Sequence, residues 1–248
     1  MIGDSHVRHY FLALQALLKK KHIRMRVFSY NNCPALAGDF EVTDENAKVI
    51  NKDCKDFRNR VFKFLKETQG IKKVFLANRN SLYVSESESS KFQYKRRLVS
   101  EGKAIGWESS METFKESMQK TLRLLETKVD EVYILGEVPN FYESPHECLQ
   151  KKTSLIARAL RLWTNDELQA CVGYDENSYQ RSTESLNSFF ESLGNASTKI
   201  HFFNPNGVYP LAMRETDQVY YFDENHMNFR GAKLLQKALV KRYFSEVE

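Results

Sequence analysis

The sequence opens Met1-Ile-Gly-Asp-Ser-His6 and runs without a break into Val7–Lys21, where Phe11, Leu14, Leu17 and Leu18 share one helical stripe. A strand that ends near Ile2, a Gly3-Asp4-Ser5 turn and an amphipathic helix form one strand–turn–helix unit. The same rhythm continues along the chain. Arg24-Met-Arg-Val-Phe-Ser-Tyr30, Lys73-Val-Phe-Leu-Ala77, Glu131-Val-Tyr-Ile-Leu-Gly136 and Lys199-Ile-His-Phe-Phe203 are short apolar runs, suited to strands buried on both faces. Helical spacing lies between them, over Phe57–Leu65, Met111–Lys128, Ser185–Leu193 and Ala232–Phe244. This alternation predicts right-handed βαβ units and an α/β fold with a parallel sheet.

No repeat, low-complexity tract or Pro/Gly linker divides the chain, so residues 1–248 read as one domain. Two stretches break the rhythm. Asn31–Lys55 and Asn140 to about Thr183 are expected to be loop insertions, the second with a helix near Leu155–Trp163. Loops of that length cover or shape a site.

Composition removes several classes of function. With 42% hydrophobic and 28% charged residues, the chain is not a disordered one. No apolar run reaches the roughly 18 residues of a membrane-spanning helix. The net charge of +5 is scattered in short runs such as Lys19-Lys20-Lys21 and Lys95-Arg96-Arg97. These read as solvated faces, and nucleic acid is not an expected partner. Neither a G-x-x-x-x-G-K-[ST] nor a G-x-G-x-x-G fingerprint occurs. The four cysteines form no C-x-x-C pair, which argues against a zinc ribbon. Two disulfides, Cys33–Cys54 and Cys148–Cys171, would each close a short local excursion; four reduced thiols are the alternative.

Ser5 is placed where chemistry is expected, since open α/β sheets bind ligands beyond the carboxyl ends of their strands. A helix N-terminus also favours negative charge developing nearby. The plainer reading makes Asp4 or Ser5 a helix cap. A second feature, Asp223-Glu-Asn-His226, favours the chemical reading. A serine nucleophile needs a base, and the base needs a group that fixes its tautomer. In D-x-x-H one short turn supplies both. His9, His22, His146 and His201 read as surface or packing residues.

Together, Gly3-Asp4-Ser5 near the start and Asp223-x-x-His226 near the end resemble the SGNH (GDSL-type) hydrolase superfamily. His6, the Cys33-Pro34 pair, Val74-Phe-Leu-Ala-Asn-Arg79 with Ser81 and Tyr83, Ile134-Leu-Gly-Glu-Val-Pro139 and the Gly231-Ala232 that follows His226 extend the likeness. They resemble the SGNH domain that follows the membrane domain in bacterial O-acetyltransferases of lipopolysaccharide O-antigen and related surface glycans. The likeness runs over almost the whole chain, in matching order. It implies a three-layer α/β/α sandwich with a mainly parallel, flavodoxin-like sheet, no cofactor and no metal. It also implies a triad of Ser5 as nucleophile, His226 as base and Asp223 as its orienter. The Ser5 N–H would be one oxyanion donor. Asn80 aligns with the family's asparagine, with Asn78 and Arg79 as neighbouring alternatives, and Gly38 is the candidate for its glycine. His6 would contact substrate or hold the turn. Tyr83, Trp107, Tyr142 and Trp163 could stack on a sugar, or pack.

Two departures stand out. Only two residues precede Gly3, so either the chain is a piece of a longer protein or the first strand is completed another way. Relatives also carry cysteines ahead of the D-x-x-H block, whereas Leu211-Ala-Met213 has none. The function implied is serine-dependent O-acetylation of a surface polysaccharide at the periplasmic face of a bacterial inner membrane. A membrane acyltransferase domain would supply the acyl donor, and a glycan would be the acceptor. A carbohydrate O-acetyl esterase, or a glycan-binding module without catalysis, are the alternatives.

Overall fold

The computed structural model describes residues 1–85, 95–141, 143–152, 171, 176–206, 208 and 219–243. Its strands are β1 (Ile2–Gly3), β2 (Phe28–Ser29), β3 (Glu41–Thr43), β4 (Lys73–Ala77), β5 (Arg97–Val99), β6 (Glu131–Leu135) and β7 (Ile200–Phe203). Its helices are α1 (Val7–Lys20), α2 (Cys54–Glu67), α3 (Ser81–Val84), α4 (Trp107–Glu126), α5 (Pro145–Lys152), α6 (Glu176–Ala196) and α7 (Phe229–Tyr243). No helix among the described residues is long and apolar enough to cross a membrane.

Five strands form one parallel sheet in the order β2-β1-β4-β6-β7. Ile2, Leu76, Ile134 and Phe202 stand in one row across it, and Gly3, Ala77, Leu135 and Phe203 in the next. Side chains alternate between faces along each strand. Val74, Leu76, Val132 and Ile134 pack with α2, α4 and α6, while Phe75, Ala77, Tyr133 and Leu135 pack with α1 and α7. The result is a three-layer α/β/α sandwich. All the turns that leave β1, β4, β6 and β7 lie at one edge of the sheet, where the candidate residues are found.

Several sequence expectations change. The strand expected over Arg24–Tyr30 narrows to Phe28–Ser29. Beyond it the pairing continues as single bonds, with the Met1 amino group donating to the Arg26 carbonyl and the Tyr30 N–H to the Gly3 carbonyl. The insertion at Asn31–Lys55 contains β3, which pairs antiparallel with β5 as a small second sheet. Arg97, read as part of a solvated run, is buried in β5. The helix expected over Ser185–Leu193 begins at Glu176, so α5 and the first turns of α6 occupy parts of the second insertion. Trp107 starts α4 and is not in a loop, and Tyr83 is a fully buried residue of α3. The helix expected near Leu155–Trp163, together with Tyr142, lies outside the described residues. Cys33 is bonded to Cys54 and Cys148 to Cys171, with each Cα pair 5.5 Å apart.

Gly3 is the tightest point of the sheet. A Cβ there would overlap the Ala77 carbonyl oxygen and the Val7 side chain, and neither backbone nor a β-branched neighbour can move away cheaply. Gly3→Ala is therefore expected to destabilise the chain by about 3 kcal/mol or more. Gly70→Ala, at φ +76° in open space, is expected to cost about 1 kcal/mol. Urea denaturation of both variants checks the ranking.

Candidate active site

Ser5 follows β1 at the carboxyl edge of the sheet, and α1 begins two residues later. The turn is held by Asp4, which is 1% exposed. Its Oδ1 accepts the His6 N–H at 2.9 Å. Its Oδ2 accepts the Arg79 N–H at 2.9 Å and the Tyr83 hydroxyl at 3.2 Å. The Asp4 N–H donates to Asn78 Oδ1, and the Asp4 carbonyl accepts from Ser29 Oγ. One residue thus joins β1, the end of β2, the turn after β4, and α3. Burial pushes its carboxyl up to about 6, against the N–H donors of His6 and Arg79, which favour the anion, with nearby Glu137 raising it further.

The candidate base, His226, comes from the far end of the sequence. Tyr221 and Met227 form a bridge, and Phe222 N–H donates to the His226 carbonyl, which closes a tight loop over residues 222–226. Inside it, Asp223 Oδ1 accepts the N–H groups of Asn225 and His226 at 2.9 and 2.7 Å. Asp223 Oδ2 lies 2.8 Å from His226 Nδ1, and His226 Nε2 lies 2.8 Å from Ser5 Oγ. Burial alone would raise the Asp223 carboxyl. The hydrogen bond from His226 and the two N–H donors outweigh that, and hold it at about 2. The anion therefore accepts from Nδ1–H, leaving Nε2 as the acceptor that faces the serine hydroxyl.

Two further histidines fix this loop against α1. The His6 N–H is taken by Asp4, and its ring reaches Asn225 Oδ1 through Nε2 at 3.1 Å. Asn225 Nδ2 donates to Glu224 Oε1, so its Oδ1 is the acceptor and His6 carries its proton on Nε2. His9 Nε2 accepts the Met227 N–H at 3.2 Å, which requires an unprotonated Nε2. Burial is the main cause that depresses both rings: His6 falls well below the usual range, and His9 to about 3. The three imidazoles of His6, His9 and His226 lie with centroids 4.6–5.7 Å apart. Two neutral rings thus flank His226. Among the described residues no group of side chains is arranged to hold a metal ion.

The remaining candidates divide. Asn78 uses Oδ1 to accept the N–H groups of Asp4 and Ala35, which points its Nδ2 away from both as a donor. Asn80 is 2% exposed with its Oδ1 unpartnered. Arg79 contributes its N–H to Asp4, and its guanidinium Nε sits 3.9 Å from the buried Glu137 carboxylate. Glu137 also accepts from the Ser81 N–H, the Ser81 hydroxyl and Asn140 Nδ2. Gly38 packs against Ser117 and Phe40, and its carbonyl accepts from Arg58. Reading the sequence missed Asp4 as a hub, Asn225 as the partner of His6, and His9. The one available signal was His6-x-x-His9, a three-residue spacing that puts both rings on the inner face of the first helical turn.

Comparison with known proteins places this geometry. A family model described as the SGNH domain fused to AT3 domains matches residues 1–241. No curated protein sequence matches. Among solved structures, the periplasmic domain of a lipopolysaccharide acetyltransferase from Salmonella ser. Paratyphi A superimposes with a TM-score of 0.55 at 12% identity, covering 98% of this chain and 82% of that one. A structure described as a putative platelet activating factor from Streptococcus pneumonia gives 0.45 at 14% identity, covering 97% and 80%. The match over nearly the whole length decides the assignment: the chain belongs to the family of SGNH domains that are fused to AT3 domains.

Proposed function

We propose that this domain is a serine acyltransferase that O-acetylates a cell-surface polysaccharide through an acyl-serine intermediate. The observation that carries the proposal is the unbroken relay Asp223–His226–Ser5, with both links at 2.8 Å. A glycan-binding module without catalysis would have no need to keep those three groups in register. The AT3 association of the family, and the acetyltransferase named for the Salmonella domain, support an acetyl group handed over by a membrane acyltransferase domain outside the inner membrane.

In the proposed reaction His226 Nε2 takes the Ser5 proton as Oγ attacks the donor carbonyl. The resulting oxyanion is met by the Ser5 N–H and by an amide of the Asn78–Asn80 turn. Asn78 is the better supported, because its Oδ1 is already bonded to the residue beside Ser5. The proton returns to the leaving group, and acyl-Ser5 remains. A sugar hydroxyl then gives its proton to His226 and attacks the ester, and His226 returns that proton to the departing Ser5 Oγ, which restores the free serine. Asp223 stays ionised throughout and fixes the ring. Water in place of the sugar would make the same site an esterase, so the acceptor decides the outcome.

The test is a p-nitrophenyl acetate assay with and without a polysaccharide acceptor, together with intact-mass detection of acyl-Ser5. Ser5→Ala is expected to abolish acylation, and Asp223→Asn to lower kcat by about ten-thousandfold. Absence of acylation in the folded wild-type domain would overturn the proposal. His9→Phe orphans the Met227 N–H and is expected to lower kcat by about tenfold to a hundredfold with little change in KM; His9→Gln, which keeps an acceptor, recovers part of it.

Asp4 gives a pH signature. Its folded pKa of about 6 lies above the unfolded value of 3.8, so the folded state binds the extra proton between these values. Stability from this group is greatest below pH 4, falls as pH rises to about 6 and is level above. Against Asp4→Asn, wild type is expected to lose on the order of 2–3 kcal/mol over that window, read from urea midpoints.

A further inference from the structure

The basic residues that look scattered in the sequence collect at the edge of the sheet opposite Ser5. Among the described residues, segments 19–27, 66–73, 126–131, 195–199 and 241–243 form that edge, where helices end and strands begin. They hold twelve Lys or Arg against four Asp or Glu, a net charge of +8 in a chain whose total is +5. Cations at helix C-termini are expected from the helix dipole. That accounts for Lys19, Lys20, Lys66, Lys241 and Arg242 in last turns and for Lys199, which donates to the Glu126 carbonyl at the end of α4, but not for Arg24, Arg26 or Lys72. The acids present are engaged: Asp130 pairs with Lys72, Glu131 with Lys73 and Glu67 with Lys63, while Glu126 accepts from Ser197. Lys19, Lys20, Arg24 and Arg26 meet no carboxylate among the described residues.

The same edge opens into a cleft of about 990 Å³ whose walls include Leu18, Ile23, Met25, Phe28, Phe64 and Ile71. Ile23 is 44% exposed, in the middle of the basic run. A nucleic-acid duplex would match the charge but has no use for an apolar floor. An anionic bilayer matches both: headgroups meet the cations, and the interface accepts apolar side chains. We propose that this edge is a docking face for an anionic lipid bilayer, with the Lys19–Arg26 segment as its main contact.

The experiment is co-sedimentation of the purified domain with vesicles of phosphatidylcholine, alone or with about a third phosphatidylglycerol. Binding is expected only to the anionic vesicles and is expected to weaken strongly in ~0.5 M NaCl. Each cation at such a surface contributes about fivefold in affinity, so Lys19→Glu, Lys20→Glu and Arg24→Glu together are expected to weaken binding by about a hundredfold or more. Reversal of Arg8, Lys55 and Lys115, near the other edge, is expected to have little effect. Should the first triple variant not fold, Ile23→Ser and the salt dependence carry the test, the former by a measurable weakening. Equal binding to neutral vesicles, no binding to anionic ones, equal loss with the control triple, or binding to a DNA duplex in place of vesicles would each overturn the proposal. Ser5→Ala is expected to bind as wild type does, so this outcome and that of the catalytic proposal are read separately.

Discussion

A buried carboxylate organises the molecule. Asp4 takes two backbone N–H groups and one hydroxyl, and its own backbone binds a side chain on either side. A strand of two residues cannot hold a turn in place by its ladder alone, so the turn carrying Ser5 is fixed by these bonds. The arrangement is expensive, since burial works against the ionised form. It is tolerable because each oxygen has a donor, and an unpaired buried charge would cost far more. The position of Ser5 is therefore a property of β4 and α3 as much as of the segment that contains it.

Opposing this turn is a loop clamped from both sides. His6 holds it through Asn225, and His9 through the Met227 N–H, on either side of His226. Both clamps come from the beginning of α1, next to Ser5, so the hydroxyl and the imidazole share one rigid support. Within the loop, Asp223 serves the backbone with one oxygen and the ring with the other. Such doubly used groups are how a short loop without regular structure holds a side chain to within a few tenths of an ångström.

Much of this was legible in the residues. β4, β6 and β7 are buried on both faces and announce themselves as apolar runs. The meeting of Ser5, Asp223 and His226 was legible because the chemistry expected of them needs particular residue types beside particular neighbours. What stayed hidden depended on distant contacts. The β3–β5 pair joins segments more than fifty residues apart, with only three residues in each. His9 looked like a packing residue because its partner, a backbone N–H at residue 227, has no sequence signature. Gly38 was placed by family analogy, and its actual neighbours, Ser117 and Arg58, come from helices that no local pattern connects to it.

The order of the relay along the polypeptide has a consequence for biosynthesis. Within this domain Ser5 is made well before its partner, and His226 follows 221 positions later. Until the final βα unit closes onto α1, the hydroxyl has no proton acceptor and is as inert as any serine. Under the proposed function, a partly made domain therefore carries no working nucleophile, and reactivity appears only with completion of the fold.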